Sequence, residues 1–152
     1  MLGVNWVELF LRGIPEMFLV IWGIHIIARK NINLKSYIIS VAVMSLLSSL
    51  VKMLPIYFGV HTMLIIILTI CIMASIGISI ITSIYATLFI FLILSVSEFL
   101  NMALLDLLKI NINFTDSIKK SLLGIPSLLI SFLLILLLQH LLKKRGSKNV
   151  SN

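Results

Sequence analysis

From Thr62 to Ser97 the chain reads TMLIIILTICIMASIGISIITSIYATLFIFLILSVS, with no Asp, Glu, Lys or Arg. A bilayer core about 30 Å thick needs about 20 apolar residues in helical form. The run is therefore long enough to cross twice, and Ala74-Ser75-Ile76-Gly77 supplies a break between the crossings. Barrel strands are excluded. They are about ten residues long and alternate apolar with polar side chains, whereas Leu, Ile and Met here follow one another without alternation. The expected fold class is all-α, a polytopic membrane protein built as a bundle of five transmembrane helices.

The five spans follow from hydropathy and its punctuation. The first runs from about Phe10 or Ile14 to Ala28, and the second from Ser36 to Leu54 before Pro55. The third and fourth divide the long run, His61 to Ile76 and Ser79 to Leu105, and the fifth runs from Ser121 to Leu142. Residues 1–142 then form one transmembrane domain, and 143–152 a short basic cytoplasmic tail. Gly13-Ile14-Pro15 and Gly124-Ile125-Pro126 open the first and fifth spans alike, as proline suits a first helical turn. An odd number of spans makes those two helices parallel.

Charge sets the expected orientation. Only 11% of the residues are charged, against about 25% in soluble proteins, and mean hydropathy is +1.21. The net charge of +7 is no nucleic-acid signature, because the basic residues sit at segment ends: Arg29, Lys30, Lys35, Lys119, Lys120 and Lys143 to Lys148. Placing the C-terminus inside puts seven of the twelve basic residues inside and the N-terminus outside. The start of the chain lacks the basic opening of a cleavable signal peptide, and Glu8 and Glu16 flank its first apolar stretch. The Ile, Lys and Asn content fits an AT-rich bacterial genome and a cytoplasmic membrane. Cys71 is the sole cysteine and is expected to be a small buried apolar residue.

Charges inside a span cost about 2.5–3.5 kcal/mol each, so they face protein or water. Glu16, Lys52, His61, Glu98 and Asp106 all fall in one half of the membrane, because successive spans alternate direction. Ser83, Thr87, Ser95, Glu98, Asn101 and Asp106 share an arc of roughly 140° on the fourth helix, and Ser45, Ser48, Ser49 and Lys52 one of roughly 100° on the second. Ser45-xxx-Ser49 has the small-residue spacing that lets helices approach closely. These faces would let Lys52 pair with Glu98 or Glu16. The apolar connector Leu54 to Thr62 contains Pro55 and Gly59, cannot be one continuous helix, and would form a rim with Tyr57 and Phe58 at the interface. The candidate ligand site is therefore Glu16, Lys52, His61, Glu98 and Asn101. The alternative is a structural ion pair with Lys52 and Asp106 snorkelling to the interface.

Catalysis is not expected. The chain has no HExxH, no nucleophile elbow and no glycine-rich phosphate loop. On one helix Cys71 and His61 would stand ~15 Å apart along the axis, out of hydrogen-bond reach. His25 and His140 are remote from His61, so neither a metal site nor a cofactor is expected.

Ile14-Pro15-Glu16, Leu54-Pro55-Ile56-Tyr57-Phe58-Gly59-Val60-His61-Thr62, Ser97-Glu98-Phe99-Leu100-Asn101 and Gly124-Ile125-Pro126-Ser127 together resemble the membrane sensor region of Gram-positive histidine kinases of the sporulation-type or GHKL class. The resemblance covers nearly the whole chain and implies a sensory or regulatory membrane domain. In that family a kinase follows the last span, whereas this sequence ends at Asn152, so the expectation is a sensor acting through a partner protein. Expected partners are the lipid bilayer and a membrane or cytoplasmic protein, a second copy of the chain included, and no nucleic acid. Rival readings are a membrane subunit of a small-molecule transporter and a structural assembly partner of a membrane complex.

Overall fold

Five helices are laid out in the computed structural model, which describes residues 9–55, 57–108 and 123–148. A π-helical turn, Leu9–Gly13, leads into α1, Ile14–Ala28; α2 is Leu34–Met53, α3 Phe58–Ser75, α4 Ile80–Leu107 and α5 Ile125–Lys148. No strand occurs among the described residues. Four helical segments are long and apolar enough to cross a membrane, and Gly59–Ser75 is apolar but shorter. Mid-helix side chains point outward that a soluble protein would bury: Leu46 is 63% exposed and Leu133 63%. An outward apolar surface of this kind matches a hydrocarbon solvent.

Local chemistry explains the boundaries. The expected break falls where Gly77 takes φ +87°, a region closed to most side chains. There Ile78 N–H donates to Met73 O at 3.2 Å and Gly77 N–H to Ala74 O at 3.0 Å, the paired bonds of a Schellman ending. Two residues on, the Ser79 hydroxyl accepts the Thr82 N–H at 3.3 Å and caps α4. The end of α1 is built the same way: Arg29 N–H donates to Ile26 O and Lys30 N–H to His25 O, both at 3.3 Å. There the left-handed seat is filled by Arg29, at φ 49°. The connector after α2 is shorter than the sequence implied. Leu54 and Tyr57 are extended, and α3 already starts at Phe58, so His61 and Thr62 sit in its first turns. At the other end α5 continues to Lys148, so the first part of the basic tail is helical. Expectations for Glu8, Lys109, Lys119, Lys120 and Ser121, and for the side chains of Phe58 and Lys148, lie outside the described residues.

Contacts between elements define the arrangement. α1 packs on α2, α2 on α3, α3 on α4 and α4 on α1, closing a ring of four, and α5 lies along the α1–α4 seam. α5 presents only a narrow stripe inward, with Ser127, Ser131 and Ile135 buried four residues apart. α1 and α5 are parallel, as an odd number of spans requires. Ile14, Pro15 and Phe18 share one groove with Ile125 and Leu129, and Arg29 shares another with Lys143. The closest approach is at Gly23, where an added Cβ would stand 2.4 Å from Ile90 Cδ1 and 3.5 Å from Ile135 Cδ1. Around that crossing Val20, Ile21, Ile24, Met44, Met73 and Ile90 are fully buried and form an apolar plug across the bundle.

Candidate functional site

The Glu16 end of the ring opens into a cavity of ≈ 500 Å³. Each helix of the ring contributes to its wall. Arg12, Glu16 and Met17 come from α1 and the turn before it, and Lys52 from the last turn of α2. His61, Thr62 and Ile65 come from α3, and Phe91, Leu94, Ser95 and Glu98 from α4. Charges therefore meet an apolar floor of Met17, Ile65 and Leu94, all buried, just above the plug.

Arg12 Nη2 donates to Glu98 Oε1, an ion pair that ties the turn before α1 to α4. Sequence reasoning did not single out Arg12. A first span that starts at Ile14 leaves Arg12 outside it and one that starts at Phe10 includes it, and the sequence left both starts open. The helix extends back through the π turn that precedes Pro15. Arg12 then sits one turn before Glu16, and this i, i+4 spacing was visible in the sequence. The expected pairing of Lys52 with Glu98 does not occur, because Arg12 occupies that carboxylate. Lys52 lines the same cavity as Glu16, and the two form no ion pair among the described residues. The walls thus carry two carboxylates, a guanidinium and an ammonium, so the fixed charges balance, with His61 beside them.

His61 also fastens the connector. Its Nδ1 lies 3.1 Å from Tyr57 O and its Nε2 3.1 Å from Leu54 O. A neutral imidazole donates from one nitrogen only, so either tautomer ties the ring to one of these two carbonyls. Asn101, the remaining predicted ligand residue, is placed elsewhere. It is buried beneath the start of α5, where Nδ2 donates to Leu123 O at 2.9 Å. Asp106 lies two turns beyond Glu98 and does not line the cavity.

The polar arc of α4 divides in two. Ser83, Thr87, Ser97 and Asn101 face the interior, whereas Ser95 and Glu98 face the cavity. Most buried hydroxyls bond within their own helices: Ser45 to Val41 O at 2.8 Å, Thr69 to Ile65 O at 2.7 Å and Ser97 to Ile93 O at 2.8 Å. Ser45 does face inward as its spacing implied, but its hydroxyl does not bridge helices. The Ser83 and Thr87 hydroxyls and Asn101 Oδ1 are buried and have no hydrogen-bond partner among the described residues. Cys71 is exposed on the outer face of α3 rather than buried. Because α3 packs only through the faces turned to α2 and α4, an apolar position on it need not be interior. Among the described residues, no three His, Cys, Asp or Glu side chains converge in a way that would hold a metal.

No protein-family model matches the chain. No curated protein matches it in sequence and no solved structure matches it in fold.

Proposed function

We propose that this chain is a non-catalytic sensory or regulatory domain of a bacterial cytoplasmic membrane, with its N-terminus outside and C-terminus inside. A ligand or a partner segment enters the cavity among Arg12, Glu16, Lys52, His61 and Glu98. Its occupancy biases how the four ring helices pack, and a partner protein reads the change at the opposite end. The observation that carries this reading is one charge-balanced cavity to which each ring helix contributes. A binder shifts a two-state protein only by its differential affinity for the states, and a site shared by four helices is where small relative movements change affinity. The balanced charges match a ligand that carries both an amine and a carboxylate, such as a peptide terminus. The fully buried layer beneath the cavity favours a sensor over a transport subunit, since it separates the two ends of the bundle. The resemblance to kinase sensor regions points the same way.

The test is thermal unfolding of the full chain in detergent, with and without a zwitterionic dipeptide as probe, for wild type, Lys52→Gln, Glu98→Gln and the double variant. A midpoint raised by the probe in wild type and unmoved in the double variant supports the site. If all four proteins behave alike, with and without the probe, the cavity is not a binding site. Uptake of labelled solute by proteoliposomes carrying the chain would replace this reading with transport.

A further inference from the structure

The opposite end of the bundle holds a second, larger cavity of ≈ 700 Å³. Arg29 and Lys30 wall it from the end of α1, Asn31 from the link to α2, and Gln139 and Lys143 from α5, with Trp22 at its inner edge. Its charge is unlike that of the first cavity. The described carboxylates, Glu16, Glu98 and Asp106, all lie toward the other end, and no acidic residue lines this one. One cation is already engaged: Lys30 Nζ donates to Ile76 O at 2.7 Å, at the exposed carbonyl end of α3. Arg29 and Lys143 have neither ion pair nor side-chain hydrogen bond among the described residues. Arg29 is moreover held in the left-handed region, φ 49°, where glycine is the usual occupant. That conformation turns the chain at the rim of the cavity.

We propose that this cavity binds the phosphate of an anionic phospholipid headgroup. A guanidinium, two ammonium groups and two side-chain amides offer more donors than a carboxylate can accept, whereas a phosphate has oxygens for several of them. Of the remaining walls, His25 is held to its own helix by its Nδ1, 2.8 Å from Ile21 O, and Trp22, Ile26, Ile32 and Leu142 are apolar and suit the glycerol and first acyl carbons of a lipid. The placement agrees too, because the rim lies where α1 and α5 leave the apolar span.

Trp22 supplies the readout. With Trp6→Phe, Trp22 is the single indole of the full chain. It is reconstituted into phosphatidylcholine vesicles containing increasing fractions of brominated phosphatidylglycerol or brominated phosphatidylcholine. The glycerol lipid should quench Trp22 saturably at low mole fraction, and the choline lipid only in proportion to its amount. Arg29→Asn with Lys143→Gln removes two charges, and asparagine tolerates the left-handed seat, so the backbone turn is kept. That pair should weaken the anionic preference about 5-fold or more, and Lys35→Gln with Lys144→Gln, outside the cavity, less than about 2-fold. Equal quenching by the two lipids, or equal loss in both variant pairs, overturns the proposal. Added inorganic phosphate identifies the source. Reversal of the quenching shows that the phosphate group suffices, and persistence shows that the lipid-borne phosphate is the ligand, and either supports a phosphate site.

Discussion

Arg12 and Glu98 tie the turn before α1 to the body of α4, and the strength of the tie is set by how much water reaches it. Their side chains are 25% and 51% exposed, so solvent screens the pair and its worth is modest. In a double-mutant cycle of Arg12→Gln and Glu98→Gln, unfolding in detergent should show a coupling of about 1 kcal/mol. The same cycle with Lys52→Gln and Glu98→Gln should give close to zero, because Arg12 already holds that carboxylate. Asn101 belongs to a different function. Asn101→Ala should cost about 1 kcal/mol through its bond to Leu123 O. Hydrogen exchange should quicken at the start of α5, while the response of the Glu16 cavity to the dipeptide stays unchanged. The sequence told the level of Glu16, Lys52, His61 and Glu98, since alternating spans fix depth. It did not tell which of them pair. Pairing depended on whether the helix continues back through Pro15, and a proline at that position suits either a helix start or a π turn. Asn101 shares an arc with Glu98, but the arc is wide enough to face both α5 and the cavity.

At the scale of helices, close approach decides the fold more than hydrophobicity does. Without water there is little hydrophobic drive between apolar helices, so packing contacts and small residues place them. Gly23 is where α1 meets α4 and α5, and Ile90 already fills the space a methyl group would need. Gly23→Ala should therefore destabilise by about 1–3 kcal/mol, the range of overpacked cores, read as a lower unfolding midpoint. Pairing it with Ile90→Val removes the Cδ1 that stands 2.4 Å away. The double variant should be more stable than the sum of the two single losses. A purely additive cycle would show that α1 moves aside as a unit. The helices themselves were legible, because long apolar runs, Pro55 and the glycine turn at Gly77 are local signals. Gly23 was not. A glycine inside a membrane helix is common, and only the neighbours that close over it reveal its role. Cys71 failed for a related reason: a helix apolar on all sides gives no stripe from which to tell inside from outside.

For the whole molecule, the two ends are chemically unlike, and that difference is its organising feature. Among the described residues, the cavity at the Glu16 end is walled by acidic and basic groups together, whereas no acidic residue lines the one at the Arg29 end. Between them lies a layer of fully buried apolar side chains, Val20, Ile21, Ile24, Met44, Met73 and Ile90. The ring order of α1 to α4, with α5 on the α1–α4 seam, could not be deduced from hydropathy, which fixes the number of spans but not their neighbours. Orientation is the property on which the sensory reading turns, and the basic end predicts it. With Cys71→Ala, which should change stability by less than about 0.5 kcal/mol because its side chain faces outward, single cysteines can be placed at Tyr57, Lys35 and Lys144. Tyr57 is 89% exposed in the connector at the Glu16 end, and Lys35 and Lys144 lie at the other. In intact cells a membrane-impermeant maleimide should label Tyr57→Cys, and should label Lys35→Cys and Lys144→Cys only after permeabilisation. Labelling of Lys35 and Lys144 on opposite sides would break the parallel arrangement of α1 and α5. The reverse pattern as a whole would turn the Glu16 cavity toward the cytoplasm, where an extracellular ligand could not reach it, and would leave the phosphate site facing outward.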